Sequence, residues 1–289
     1  MPDIDLLCLA NSFKRGGGCV AGIRLDTGAW IRPVTDSEDG TLPSSRCQLD
    51  VGRPAAPLDV IRMSLARPAP RVHQPEDWIA GPQQWRLRSS HKFPAAADVL
   101  DRYTFRGGML FGTPTDRVPE TTIGETGVEA SLALLRIEAP VFRSEVNPFD
   151  GKTKVRAVFI HGGVAYDLSV TDRNLRVGLA KVIGTYPSFA DWYVTISLGE
   201  PFRGACYKLI AAALEVPFVD ASERLFRIWA NAGGRSYPGD AAQRERMTQS
   251  RAFQELCHMP DDVLVRSVRT AQPPSFSAWL LAARESAGE

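Results

Sequence analysis

A glycine-rich turn near the N-terminus carries two adjacent cations, Lys14 and Arg15, followed by three glycines at 16–18. Backbone N–H groups of such a turn can bind a phosphate, and the two cations would attract it. The turn joins two predicted strands rather than a strand and a helix, so no helix dipole adds to the attraction. A solvated hairpin tip is therefore the alternative interpretation.

The segment Trp30–Val34 predicts a strand with an aromatic ring and a cation on one face. Alternation along a strand puts Trp30 and Arg32 on the same side and Ile31 on the other. There Trp30 could stack on a base and Arg32 could bind a phosphate. The alternative is that Trp30 only covers a barrel and Arg32 pairs with a local carboxylate.

Two further basic positions have the same pair of interpretations. Lys154 lies at the alternating basic start of a predicted strand, which could be a binding rim or a solvated edge. Tyr207 and Lys208 open another apolar segment and would supply a stacking ring and a phosphate contact.

His73 is the histidine best placed for acid–base chemistry, because Glu76 and Asp77 follow closely. A neighbouring carboxylate can orient an imidazole. The alternative is a polar loop that Trp78 anchors on the core.

Motifs that define several enzyme classes are missing from the sequence. There is no Gly-x-x-x-x-Gly-Lys-Ser/Thr, no dinucleotide-binding Gly-x-Gly-x-x-Gly in a strand-to-helix setting, and no Gly-x-Ser-x-Gly. Cys-x-x-Cys and His-Glu-x-x-His are also absent, so we expect no zinc site. The sequence predicts no cofactor, no metal and no catalytic residue.

The charge is balanced, with 34 Lys and Arg against 33 Asp and Glu in 289 residues. A net charge of +1 excludes a strongly basic nucleic-acid coat protein, so any contact with nucleic acid must come from a local surface. The five scattered cysteines, the lack of a long apolar run and the acidic N-terminus predict a cytoplasmic protein with reduced thiols and no membrane segment.

Two blocks of short strands organise the first three quarters of the chain. Strands are predicted at 4–10, 19–25, 30–34 and 60–65, and again at 132–137, 155–161, 164–168 and 193–198. Helices are predicted at 76–79, 95–102 and 173–183, whereas 207–214 could be a strand or a helix. We therefore predict a mainly β protein with two tandem small barrels, at 1–75 and 129–215, around a mixed insert at 76–128.

The region 216–289 changes to a helical pattern. Asp220 and Glu223 form a capping-box signature ahead of an apolar helix that stops at two glycines. Further helices are predicted from Asp240 to Cys257, from Pro260 to Arg269, and after Ser275. About 70 residues make a small core, so packing on the barrels or on a partner is expected.

Several separated motifs resemble the bacterial dual OB-containing domain family, over about residues 3–214. They are Leu7–Lys14, Cys19–Gly22, Trp30–Val34, Pro57–Val60, His73–Trp78, Ser197–Phe202 and Cys206–Ala212. The sequence departs from the family pattern at Phe13, where a basic residue is expected after Ser12.

This resemblance implies two oligonucleotide/oligosaccharide-binding (OB) barrels that bind nucleic acid or nucleotides, in prokaryotic conflict or mobile-element systems. It makes the residues of these motifs that could contact a ligand stronger candidates for a binding site. These are Asn11, Lys14, Trp30, Arg32, His73, Glu76, Glu200 and Lys208.

Three functions remain open from the sequence. The first is a noncatalytic module that binds single-stranded DNA, RNA or a nucleotide. The second is an enzyme or small-nucleotide sensor with a polar pocket around Arg32, His73 and Glu76. The third is an adaptor whose helical tail binds a protein partner or a second copy. Its anchors would be Phe226, Trp229, Phe253, Trp279 and Leu280.

Overall fold

A computed structural model describes residues 3–14, 17–148, 150–233, 247–273, 275–276 and 278–280. The chain divides into two compact units, Met1–Val216 and Pro217–Glu289. The first unit contains both β-sheets, and the second contains the helical tail.

Six strands form the first sheet. They are β1 (Asp3–Lys14), β2 (Gly17–Arg24), β3 (Trp30–Val34), β4 (Asp59–Pro68), β5 (Asp77–Ala80) and β6 (Arg86–Ser90). The order β1-β2-β3-β5-β4, with β4 pairing back to β1, closes a five-stranded barrel. Alternate residues point inward, so Ile31, Ile61 and Met63 lie in its core while the neighbouring Arg32 and Arg62 face outward.

The prediction of a short helix at 76–79 is wrong, because this segment is strand β5. It pairs in parallel with β3 and antiparallel with β4, and these tertiary pairings override the weak local signal of a four-residue segment. The first sheet thus continues beyond residue 75, the predicted end of the first barrel.

The second sheet contains eight strands. They are β7 (Arg117–Pro119), β8 (Leu132–Glu138), β9 (Val141–Val146), β10 (Thr153–His161), β11 (Val164–Val170), β12 (Gly184–Pro187), β13 (Asp191–Phe202) and β14 (Ala205–Glu215). Their order is β12-β9-β10-β11-β14-β13-β8, and β7 pairs with β14. The segment 207–214, left open between strand and helix, is therefore a strand.

Strands β8 and β9 lie near opposite ends of the strand order but are consecutive in the chain, separated by Ala139 and Pro140. Ala139 has a φ of 42°, and the chain bends there. β8 pairs with β13 while β9 pairs with β10, so one bent segment joins both sides of the sheet. Side chains from all of these strands enclose a single core that includes Leu135, Phe142 and Ile196.

Three short helices belong to the first unit: α1 (Ala95–Asp101), α2 (Glu120–Thr126) and α3 (Arg173–Leu179). Leu100 of α1 packs with Leu7 and Tyr193, which come from the first and second sheets. Helix α3 begins at Asp172, whose carboxylate accepts a hydrogen bond from the backbone N–H of Leu175.

The tail contains α4 (Ala221–Asn231), α5 (Arg251–Leu256) and α6 (Asp261–Ala271). The predicted cap of α4 is confirmed, since the Asp220 carboxylate accepts from the N–H of Glu223 at 2.9 Å. The predicted helix start at Asp240 lies outside the described residues. No described helix is long and apolar enough to cross a membrane.

Aromatic side chains of the tail pack against one another. The Trp229 and Trp279 rings lie 5.5 Å apart, and Phe276 contacts both. The adaptor hypothesis needs exposed anchors, but all five proposed anchor residues are at most 4 % exposed. Their apolar surface is already buried, so they are not available to a partner.

Candidate functional site

A cleft with a volume of about 430 Å³ opens on the second sheet, on β10, β11, β14 and the turn between β13 and β14. We call it the cationic cleft. Its lining includes Lys154, Arg156, Phe202, Arg203, Tyr207 and Lys208. Asp116 is the acid in the lining, so the cationic side chains outnumber it by four to one.

The four cations differ in how much of their charge is available to a ligand. Arg156 binds the Asp167 carboxylate at 2.7 Å and the Ser169 hydroxyl at 3.2 Å. The exposed Lys154 forms no side-chain hydrogen bond or ion pair with the described residues. Arg203 lies with its guanidinium 5.1 Å from the centre of the Phe202 ring. Lys154 and Arg203 are therefore the cations best placed for an anion.

Two aromatic rings stand beside these cations. The Phe202 and Tyr207 ring centres lie 6.3 Å apart at 54°. Arg117 lies 4.7 Å above the Tyr207 ring and donates a hydrogen bond to its hydroxyl, and Arg203 lies over the Phe202 ring, so each ring has a cation on one face. The rings differ in exposure, because Tyr207 is half-buried. Phe202 is 59 % exposed. The structure thus offers Phe202, rather than the predicted Tyr207, as the more open stacking surface.

The hairpin turn that carries Arg203 has an unusual backbone. Arg203 has a φ of 52° and Gly204 a φ of 77°, which suits a tight two-residue β-hairpin turn. Glycine or asparagine is usual at the first of these positions, and a long side chain there costs free energy. Arg203 adopts this conformation at the mouth of the cationic cleft.

Lys208 forms part of the cleft floor but is only 1 % exposed. Its Nζ donates to the Thr113 carbonyl and hydroxyl, both at 2.7 Å, and to the Thr115 carbonyl at 2.8 Å. An ammonium group has three hydrogens, so all its donors are in use. Lys208 fixes the 113–116 loop and is not free to bind the phosphate predicted for it.

The pH dependence of stability should reveal this burial. Burial lowers the pKa of Lys208 from 10.5 to about 8, while the nearby Asp116 carboxylate opposes the shift. Between those two values the unfolded chain binds more protons. The contribution of Lys208 to the free energy of unfolding should therefore rise with pH across this window, by up to about 3 kcal/mol.

Denaturant unfolding of the wild type and Lys208→Met between pH 7 and about pH 10 measures this contribution as a difference, in which other titrating groups cancel. The wild type should gain stability relative to Lys208→Met as the pH rises above about 8. A difference that does not vary with pH would contradict a lowered pKa of Lys208.

Arg32 lies between the two sheets and is 2 % exposed. Its guanidinium binds Asp77 at 3.2 Å, Ser131 at 3.0 Å and Ser197 at 3.2 Å. Asp77 belongs to the first sheet, Ser197 to the second, and Ser131 directly precedes β8. We call Arg32, Glu76, Asp77, Ser131 and Ser197 the junction network, because they connect the two barrels.

Glu76 completes the junction network from the first barrel. Its carboxylate accepts from the Ser131 N–H, from the Ser131 hydroxyl at 2.8 Å and from the Leu132 N–H at 3.2 Å. Glu76 is 8 % exposed. Two backbone N–H groups therefore bind one of its oxygens, Oε1, and the Ser131 hydroxyl binds the other, Oε2.

His73 and Glu200 join the barrels nearer to the surface. The His73 Nε2 and a Glu200 carboxylate oxygen are 2.9 Å apart, and Arg71 lies 3.4 Å from the other oxygen. Gln74 donates to the Leu198 carbonyl at 3.2 Å. Arg32, His73 and Glu76, around which a polar pocket is predicted, all bind protein groups, and none of the three lines the cationic cleft.

The other predicted residues of the first barrel lie at the same junction or outside the described residues. Trp30 packs against clusters that contain Leu134 and Ala212 of the second sheet, so it covers a barrel as the alternative interpretation states. The Asn11 amide donates to the Ala55 carbonyl at 2.6 Å. Arg15 and the side chain of Lys14 lie outside the described residues.

A second cavity, of about 400 Å³ and largely apolar, lies between the 109–113 segment and helix α2. Phe111 and Val118 are in its lining. Within the described residues, no group of three or more His, Cys, Asp or Glu side chains is arranged to hold a metal ion. All five cysteines are unpaired.

Phe202, Arg203 and Arg156 are the cleft residues that our sequence analysis missed. The signal for the first two is Phe202-Arg203-Gly204, which combines a turn glycine with a ring and a cation between two apolar segments. Arg156 lies two residues after Lys154 in β10, so strand alternation puts both side chains on one face and is the signal for it. That β11 and β14 border the same cleft depends on strand pairing, which the sequence does not show.

The strand order of the closed first barrel and the cleft on the second sheet define a protein built from OB barrels. The family model of the Dual OB-containing domain matches residues 4–213, and the chain belongs to this family. No curated protein matches the chain.

Proposed function

We propose that the chain is a module that binds single-stranded nucleic acid in the cationic cleft. The observation that carries the proposal is the exposed Phe202 ring next to the unpaired Lys154 and the strained Arg203. A base can stack on the ring while the cations bind the neighbouring phosphates. Stacking of a base on an aromatic side chain contributes about 1–3 kcal/mol.

The position of the cleft within the barrel supports this proposal. If the bent β8–β9 segment is counted as the first strand of the second barrel, then β10 and β11 are the second and third, and β13 and β14 the last two. The cleft includes β10, β11, Asn147 before β10, and the β13–β14 turn. Those strands and loops are where OB barrels usually bind oligonucleotides.

The junction network does not take part in this proposal, because its side chains bind one another. A role in a prokaryotic conflict or mobile-element system, which the family resemblance implies, stays a prediction.

Phe202→Ala should weaken binding of a single-stranded oligonucleotide of about 12 nucleotides by about tenfold, since it removes one stacking surface. Fluorescence anisotropy with labelled DNA and RNA at low salt measures the affinity. Phe105→Ala is the matched control, because Phe105 is also a partly exposed phenylalanine but packs on His161 outside the cleft.

Lys154→Ala should also change the salt dependence of binding. Each lost phosphate contact should reduce the slope of log affinity against log salt by about 0.7. Lys92→Ala, at an exposed lysine in the first barrel region, should leave the slope unchanged. The proposal would be overturned if the wild-type protein binds neither the DNA nor the RNA oligonucleotide at low salt. It would also be overturned if both Phe202→Ala and Lys154→Ala bind as tightly as the wild type.

A further inference from the structure

Strand β12 leaves one edge of the second sheet open. It pairs with β9 through the register Gly184 to Ser144 and Pro187 to Val141, and it ends the strand order of that sheet. Within the described residues, no strand pairs with its other edge. The backbone N–H and C=O groups on such an edge can bind an added strand, and here Pro187 offers only its C=O.

Three large aliphatic side chains are exposed immediately before this edge. Val177 on α3 is 67 % exposed, and Val182 and Ile183 in the following loop are 64 % and 53 % exposed. Isolated exposed apolar residues are ordinary on a protein surface, but Val182 and Ile183 directly precede an open strand edge and extend it into a contact surface.

The same stretch has only positive charge. Residues 173–190 contain Arg173, Arg176 and Lys181 and no Asp or Glu. Neither Arg176 nor Lys181 forms a side-chain hydrogen bond or ion pair with the described residues, and both are exposed. We call residues 173–187 the β12 surface.

We propose that the β12 surface binds an acidic, aliphatic segment of a partner protein, which adds as an extended strand to the open edge of β12. The edge would supply main-chain hydrogen bonds, Val182 and Ile183 would contact aliphatic side chains of the segment, and Arg176 and Lys181 would attract its carboxylates. This surface is separate from the cationic cleft, and the proposal does not depend on nucleic-acid binding.

Other occupants use only part of what this surface presents. A nucleic acid would use the cations but has no aliphatic side chains for Val182 and Ile183. An anionic membrane would use the cations and the apolar groups but cannot pair with the polar backbone of a strand edge. A second copy of the same edge would place the cations of the two β12 surfaces near one another.

Selection of displayed random peptides of about 12 residues on the full wild-type chain tests the proposal, and the selected peptides are then measured against the variants. Selected peptides should be enriched in Asp and Glu alternating with Val, Ile and Leu. Their affinity should fall at least tenfold in Val182→Asp and in Lys181→Glu. Val51→Asp is the matched control, because Val51 is also 56 % exposed but lies in the first barrel.

Hydrogen exchange of the complex with a selected peptide should protect backbone amides within 182–186 and leave the cationic cleft unprotected. Peptides that are not acidic, that bind Val182→Asp as well as the wild type, or that leave these amides unprotected would overturn the proposal. It would equally fail if no peptide is selected, or if Val182→Asp instead abolishes binding to phosphatidylserine vesicles, to an oligonucleotide or to a second copy in sedimentation.

Discussion

Arg32→Ala should reduce the free energy of unfolding by about 3–5 kcal/mol, because it leaves the buried Asp77 without its closest cationic partner. Asp77 is 1 % exposed, and Arg71 lies farther from it, at 3.7 Å. The Ser131 and Ser197 hydroxyls would each lose a hydrogen bond as well. Denaturant unfolding followed by tryptophan fluorescence measures the loss.

A matched control is Arg67→Ala, which removes an exposed arginine from the same barrel. Arg67 and its partner Asp36 are 60 % and 68 % exposed, so solvent screens their attraction. We expect the free energy of unfolding to change by no more than about 1 kcal/mol. Equal losses in Arg32→Ala and Arg67→Ala would contradict the role assigned to the junction network.

The same substitution separates a binding role from a structural role for Arg32. Where enough Arg32→Ala stays folded, its oligonucleotide affinity should keep the wild-type salt dependence, because no phosphate contact is removed. A reduced slope would instead show that Arg32 binds phosphate. Lys154→Ala provides the positive comparison, since its slope is expected to fall.

The orientation of β3 could be predicted from the sequence, but what covers it could not. Alternation correctly places Ile31 in the barrel core and Trp30 and Arg32 outside. The partners that cover Arg32 are 99 and 165 residues away in the chain, at Ser131 and Ser197. The pattern within one strand contains no information about such distant packing, so a barrel–barrel contact and a ligand face look alike.

Short strands show the same limit. β6, β9 and β12 are four to six residues long, and their polar and apolar residues mix without clear alternation. Pairing with a neighbouring strand stabilises them, and this is a tertiary property. Helix α1 was predicted well, because an alanine-rich segment favours a helix locally.

Lys208 illustrates why the cleft itself could be predicted only in part. The sequence indicates a lysine on a strand, and the usual expectation is an exposed charge. The carbonyl groups that bury and bind it lie in the 113–116 loop, more than 90 residues earlier. The cations available to a ligand are instead Lys154, which its own strand leaves exposed, and Arg203 in the turn between β13 and β14.

Gly22→Ala is the second substitution for which a large loss of stability is expected, about 3 kcal/mol. A Cβ at this position would lie 2.1 Å from the Leu7 carbonyl oxygen and 3.1 Å from the Cys8 Cα. Both are backbone atoms of the paired strand β1, so the ladder between β1 and β2 must open to make room. Glycine at this position allows the two strands to approach closely.

This close approach also supports the contact between the barrels. The β1–β2 register shifts between Cys8 and Ala10, which leaves Leu9 as the extra residue of a bulge opposite Gly22 and Ala21. The Leu9 carbonyl accepts a hydrogen bond at 2.7 Å from the Thr195 hydroxyl of the second barrel. Displacing β1 at Gly22 should therefore weaken the junction as well as the first barrel.

Gly124→Ala is the control for Gly22→Ala, because the same substitution is expected to stabilise the protein at one position and destabilise it at the other. Gly124 lies in α2 with nothing within 4 Å of an added Cβ, so alanine should stabilise the protein by about 0.5–1 kcal/mol.

Thr195→Val tests the link to the second barrel, since it removes the hydrogen bond to Leu9 while keeping the side-chain shape. If Gly22→Ala acts through the bulge, combining it with Thr195→Val should cost less than the sum of the two single losses. Fully additive losses would confine the effect of Gly22 to the first barrel.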